Sequence, residues 1–167
     1  MKKPITLIAS LILYSTLLFA QQKTKPNVIY FQALGNGLLA SINYERQLFN
    51  KPTFVAHVGV GIHGNDPKAT ACIPLGLKYL IKLKKGNEFL QIGMGATYSK
   101  NDVVLYTTLP KYENGIIPEN RYWNYFPSVG FRSVSKNGFL FGIDAMLLFN
   151  NIHSGLPYIG LNFGKQF

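Results

Sequence analysis

The chain reads as an all-β protein: an eight-stranded antiparallel up-and-down transmembrane β-barrel that follows an N-terminal signal peptide. Three observations predict this. After residue 20 the sequence falls into eight segments in which apolar residues alternate with small or polar ones, the period of a strand with two unlike faces. The connections between the segments alternate short and long, as expected when tight turns lie on one side of a membrane and loops on the other. Glycine and aromatic residues are plentiful (16 Gly, 14% aromatic) while only 14% of residues are charged, which suits strands with large apolar side chains on one face and small ones on the other.

Met1-Lys2-Lys3 is a short basic start, Ile5 to Phe19 is mostly apolar, and Ala20 precedes the polar run Gln21-Gln22-Lys23. Basic end, short apolar core and small residue at the cut make a secretory signal peptide, with cleavage after Ala20. The apolar stretch is broken by Thr6, Ser10, Ser15 and Thr16, whereas a spanning helix needs about 20 apolar residues. The division is therefore 1–20 signal peptide and 21–167 one barrel domain. Loss of Lys2 and Lys3 lowers the formal charge from +10 to +8. Export argues against nucleic acid as the partner of that charge. Anionic lipid headgroups at the rims fit better, because the lysines fall mostly in turns.

The first segment, Val28 to Leu34, ends in the turn signal Gly35-Asn36-Gly37. The second, Leu38 to Leu48, sets Leu38, Ala40, Ile42, Tyr44 and Leu48 against Leu39, Ser41, Asn43, Glu45 and Gln47. The third, Thr53 to His63, sets Phe54, Ala56, Val58, Val60 and Ile62 against Val55, His57, Gly59, Gly61 and His63. The fourth, Cys72 to Leu83, opposes Ile73, Leu75, Leu77, Tyr79 and Ile81 to Pro74, Gly76, Lys78, Leu80 and Lys82. In the fifth, Glu88 to Ser99, Leu90, Ile92, Met94, Ala96 and Tyr98 face away from Gln91, Gly93, Gly95, Thr97 and Ser99. A long connection to about Trp123 follows. The sixth, Asn124 to Ser135, places Val129 and Phe131 opposite Ser128, Gly130 and Arg132. The seventh, Phe139 to Phe149, is apolar at every odd position, with Gly142 and Asp144 on the other face. The eighth, Tyr158 to Phe167, opposes Ile159, Leu161, Phe163 and Phe167 to Gly160, Asn162, Gly164 and Gln166. These lengths match a tilted membrane strand of roughly 9–11 residues.

The less apolar face carries Glu45, Lys78, Lys82, Arg132 and Asp144 among many glycines. Eight strands leave an interior just wide enough for side chains, so this face belongs inside and the continuous Leu, Ile, Phe and Tyr face belongs against lipid. Charges there must be paired, and Glu45 and Asp144 are expected to pair with Lys78 and Arg132 as a plug, with Arg132–Asp144 one pair to test. Tyr44, Tyr79, Tyr98, Trp123, Tyr125 and Tyr158 lie near segment ends, where aromatic girdles form.

The stretches Gly35-Asn36-Gly37, Ile42-Asn43-Tyr44-Glu45-Arg46 and Ile73-Pro74-Leu75-Gly76-Leu77, with the ending Gly160 to Phe167, resemble the small eight-stranded outer-membrane β-barrels of double-membraned bacteria, the OmpA-like or OmpX-like barrels. The resemblance implies an outer-membrane location with both ends periplasmic, contact with outer-membrane lipids and lipopolysaccharide, and a C-terminal signal for the barrel-insertion machinery carried by Phe163 and Phe167. Lys165 stands where that pattern has an apolar residue. No catalytic residues come with the family.

A non-catalytic barrel of structural or surface-interaction type is the expected function, with its outer loops as the binding surface and the extracellular partner unspecified. The alternatives are a narrow porin-like pore, a lipid A-modifying barrel enzyme and a soluble lipocalin-like binder. His153 and Ser154 are adjacent and would point to opposite faces of a strand, which does not make a catalytic pair. No metal or cofactor is expected. Cys72 is the one cysteine, and His57 and His63 are too far apart on one strand to share an ion at about 3.3 Å per residue.

Overall fold

The computed structural model describes residues 27–49, 54–65, 68–83, 87–99, 123–150 and 154–167. The expected signal peptide and the long connection at 100–122 lie outside them. Eight strands run in chain order: β1 Asn27–Leu34, β2 Ala40–Gln47, β3 Phe54–Asn65, β4 Lys68–Lys82, β5 Glu88–Ser99, β6 Trp123–Val134, β7 Phe139–Phe149 and β8 Ser154–Gln166. Each pairs antiparallel with the next, and β8 returns to β1 to close the barrel. At the seam Phe31 of β1 lies opposite Ile42 on one side and Phe163 on the other. Closure leaves no strand edge unpaired.

The period-two pattern becomes two surfaces. Along β7 every odd residue from Phe139 to Phe149 is exposed and every even one is buried. Val60 and Met94 are 66% and 65% exposed, whereas Glu45 and Asp144 are 1% and 0% exposed. The barrel is thus apolar outside and polar at its centre, the reverse of a soluble barrel. Aromatic pairs mark its two ends on the outer surface. Phe54 lies beside Tyr79 with ring centroids 4.8 Å apart at one end, and Tyr98 beside Trp123 at 5.3 Å at the other.

Several expectations are corrected. The connections do not alternate in length. Only residues 66–67 separate β3 from β4, and 150–153 separate β7 from β8, because β4 begins at Lys68 and β8 at Ser154. The polar stretches read as loops there continue the sheet, so the connection at 100–122 alone is long. Leu38 and Leu39 exchange faces: Leu38 is buried and Leu39 exposed. The cause is a 3-10 turn, η1, over Gly35–Gly37, with Leu38 at φ +71°, which resets the alternation before β2. Tyr158 points into the lumen and is buried, not at a girdle. Lys82 lies on the inward phase of its strand but is exposed at the strand's end.

Turn η1 is the least expected feature. It folds inward, and all three of its residues are buried. Thr97 Oγ1 donates to the Asn36 carbonyl, Cys72 Sγ donates to the Gly37 carbonyl at 3.4 Å, and Tyr158 Oη donates to the Leu38 carbonyl. Gly35 takes φ +76°, where glycine has no steric penalty. Leu34 and Leu38 have positive φ without that freedom, a strain of order 1–3 kcal/mol each that this set of bonds holds in place.

Candidate functional site

The one concentration of chemically active side chains among the described residues is the lumen. The alternation of β2, β4, β6 and β7 delivers Glu45, Lys78, Arg132 and Asp144 to it, all buried. The structure pairs them as Glu45–Arg132 and Lys78–Asp144. The Arg132–Asp144 pairing considered from the sequence is not formed. Faces could be read from one strand at a time, but partners depend on how β2 and β6 confront each other across the barrel, which the shear of the sheet decides.

Arg132 Nη1 donates to Glu45 Oε1 at 2.6 Å and Nη2 donates to Oε2 at 2.7 Å. This is a two-pronged guanidinium–carboxylate contact, the strongest form of such a bond. It spans the lumen, since β2 and β6 stand opposite in the ring of eight. Lys78 Nζ donates to Asp144 Oδ2 at 3.3 Å. Asn162 Nδ2 donates to the same oxygen at 2.8 Å, and Gln91 Nε2 donates to Oδ1. The Lys78 ammonium also stands 5.6 Å from the Tyr30 ring centre.

The network continues to η1. Gln32 Nε2 donates to Asn162 Oδ1 at 2.8 Å, and Gln32 Oε1 accepts from Gly37 N at 3.4 Å. Asn36 Nδ2 lies 3.3 Å from His57 Nε2. Inward glycines make the room. A Cβ on Gly130 would strike Asp144 Oδ1, and one on Gly95 would strike the Asn36 amide. Apolar clusters lie at either end of this polar layer. Val28, Tyr30 and Leu140 form one; Leu38, Cys72, Phe126, Met146, Leu148 and Tyr158 form the other. The sequence places Gln91 and Asn162 on inward faces and Asn36 in a turn but assigns no role to them or to Tyr30 and Gln32, since a lone amide or ring carries no signal of its partner.

Every oxygen of the two carboxylates accepts at least one hydrogen bond, on Glu45 from Arg132 and on Asp144 from three donors. Among the described residues Gln91 Oε1 and Arg132 Nε find no hydrogen-bond partner, so the layer carries a desolvation cost as well as cohesion. Among the described residues no three His, Cys, Asp or Glu side chains are grouped to hold a metal ion. Phe163 and Phe167, the expected insertion signal, stand exposed on the outer face of β8 and its end. Phe163 contacts Phe141 with ring centroids 5.4 Å apart, and Phe167 N donates to Asn27 O at 3.0 Å across the seam. His153 lies outside the described residues.

Fold and lumen together define a closed eight-stranded barrel with an apolar exterior and an internal brace of two ion pairs. Comparisons with family models, with curated proteins and with solved structures find no match.

Proposed function

We propose that this chain is an integral outer-membrane β-barrel of structural or surface-interaction type, without catalysis, exported through its signal peptide and inserted with both ends periplasmic. The observation that carries the proposal is the inverted distribution of side chains. Ile42, Val58, Val60, Leu77, Met94 and Ile159 are about half exposed or more, while Glu45, Arg132 and Asp144 are buried. A soluble monomer rarely presents a contiguous apolar surface beyond a few hundred Å². Hydrocarbon accommodates one that encircles the molecule, and a closed barrel is one of only two backbone arrangements that can cross it. The aromatic pairs at both ends support the same orientation. In it, the connection at 100–122 faces outward, as the site for a partner on a rigid scaffold. Phe163 and Phe167 at the closing seam fit a terminal strand read by the insertion machinery, with lipids and lipopolysaccharide around the wall. Likeness to the OmpA-like or OmpX-like barrels remains part of the proposal.

The narrow pore is disfavoured by the lumen contents, since the ion pairs, η1 and both apolar clusters occupy the path. A lipocalin-like binder would need its apolar face inside. The test is fractionation of the full-length chain expressed in a double-membraned bacterium, with gel mobility compared before and after boiling. Recovery in the outer membrane with a shift on boiling supports the reading; a water-soluble periplasmic product with no shift overturns it.

A further inference from the structure

The excess positive charge of this barrel lies on one rim. Each strand runs antiparallel to the next, so both chain ends share a rim with the connections at 48–53, 83–87 and 135–138. Arg46, Lys82, Lys136 and Lys165 stand at that rim, against one acid, Glu88. By sequence, the first two connections add Lys51, Lys84 and Lys85, and the stretch before β1 adds Lys23 and Lys25. On the opposite rim, residues 66–68 and 100–122 hold four cations and four acids. The lumen charges cancel as two pairs. The rim with the chain ends therefore carries the whole formal charge of +8 that is left once Lys2 and Lys3 are removed.

Two of these cations lie on the outer wall at the closing seam, not in a turn. Lys165 of β8 is exposed in the same outward phase as Phe163 and Phe167, and it lies opposite Ile29 of β1. Arg46 of β2 shares the outward phase of Ile42 and Tyr44 and lies opposite Asn27 of β1. The two cations thus flank β1 across two strand spacings, about 10 Å. Between them, Tyr44 Oη donates to Asn27 Oδ1 at 2.7 Å. That bond engages the acceptor end of the amide, and its Nδ2 end can only donate. No outward-facing acid lies on β1, β2 or β8.

We propose that this seam binds the phosphate of an anionic phospholipid headgroup, in the leaflet at the rim of the chain ends, through Arg46, Lys165 and Asn27. The inference rests on the outer-membrane reading and deepens it. A barrel in a neutral bilayer satisfies that reading; a site that prefers one headgroup charge and one leaflet is a separate claim. Height on the wall selects lipid over a water-soluble polyanion. Arg46 lies opposite Ala56, two residues further from the rim than Phe54, whose ring pairs with Tyr79 at this end. Aromatic belts sit at headgroup level, so a cation here projects sideways among headgroups with its stem along apolar wall. A soluble partner approaching the rim meets Lys82 and Lys136 first. With both chain ends periplasmic, the site faces the inner leaflet, away from lipopolysaccharide. The site also gives Lys165 a role at the position where the insertion pattern has an apolar residue.

The test is native mass spectrometry of the barrel, purified after full-length expression and held in neutral micelles. It is titrated with phosphatidylglycerol, with phosphatidylcholine of the same acyl chains, and with inorganic phosphate. The expected result is retention of phosphatidylglycerol in preference to phosphatidylcholine. That preference should fall about fivefold in Lys165→Gln or Arg46→Gln and about twentyfold in the double variant, which still shifts on boiling. Lys82→Gln with Lys136→Gln removes as much charge from the same rim but at a distance screened by salt, and should lower the preference less than about twofold. Equal losses in the two double variants overturn the seam site in favour of a diffuse rim charge. Inorganic phosphate bound as tightly as phosphatidylglycerol overturns lipid as the ligand. No preference between the two lipids, in a barrel that shifts on boiling, overturns the proposal and leaves the membrane reading standing; if that barrel retains soluble polyglutamate instead, the rim serves an acidic polymer. No lipid retained, in a chain that fails to shift on boiling, overturns both.

Discussion

Removing Arg132 should be among the most damaging single changes in the barrel, and removing its partner as well should undo much of the damage. The Arg132 guanidinium makes two short hydrogen bonds to Glu45, at 2.6 and 2.7 Å, with both residues buried. Hydrogen bonds to charged groups contribute about 1.5–3 kcal/mol each, so the contact totals roughly 3–6 kcal/mol. That agrees with the roughly 3–5 kcal/mol lost when one partner of a buried pair is stripped away. Arg132→Gln leaves the buried Glu45 carboxyl without its partner; Glu45→Gln does the converse to Arg132. The double variant has two neutral amides that can bond each other, and should lose far less than the sum of the singles, with a coupling above about 1.5 kcal/mol. Arg132→Gln with Asp144→Asn removes members of different pairs, diagonal neighbours on β6 and β7, and should show a weaker coupling than Glu45 with Arg132. The assay is urea unfolding in detergent micelles, followed by fluorescence of Trp123, the chain's one tryptophan, and by gel mobility. Additive losses for Glu45 with Arg132, or a coupling of Arg132 with Asp144 as large as that of Arg132 with Glu45, would refute the pairing.

Other predictions follow from the same geometry. Gly130→Ala places a methyl group against Asp144 Oδ1 and the Ile143 carbonyl; overpacking of this kind costs about 1–3 kcal/mol, read as a lower urea midpoint. Gly95→Val drives out the Asn36 amide and displaces η1, which should appear as new reactivity of the buried Cys72 toward a small water-soluble thiol reagent; unchanged protection would argue against η1 as a seal. Phe167→Ser with Phe163→Ser should lower the yield of assembled barrel in cells, while refolding of the purified chain into detergent is spared. Equal losses in both settings would mean these rings act in packing at the seam alone.

How far the sequence could be read varies with the kind of information each residue carries. The alternation of β7, Phe139 to Phe149, needs only one strand and is legible directly. So are the inward phases of Glu45, Lys78, Arg132 and Asp144, because a charge amid small residues declares its face. Their partners are not legible, since a strand's pattern holds no record of what confronts it across the lumen. Gly35-Asn36-Gly37 announces a turn but not that the turn folds inward; that depends on Thr97, Cys72 and Tyr158, from three distant strands. The exchange of Leu38 and Leu39 follows from the same turn. Lys68 to Ala71 and Ser154 to Pro157 were read as loop from their polarity and proline, yet they pair as strand because the neighbouring strand supplies a ladder. With those stretches in the sheet, the alternation of connection lengths disappears, and a membrane location is supported instead by the two faces, the closed ring of strands and the aromatic pairs at its ends.

Those faces can be tested with three substitutions. Val60, Met94 and Phe139 are similarly exposed, at 66%, 65% and 57%. Val60 and Met94 lie mid-strand, and Phe139 begins its strand. In lipid vesicles, Val60→Arg and Met94→Arg should each cost about 2–4 kcal/mol, and Phe139→Arg about 0–1 kcal/mol, the depth dependence of a charge facing hydrocarbon. Three small and equal effects, within about 0.5 kcal/mol as for ordinary water-exposed sites, would contradict the account that the apolar face of this barrel meets a membrane.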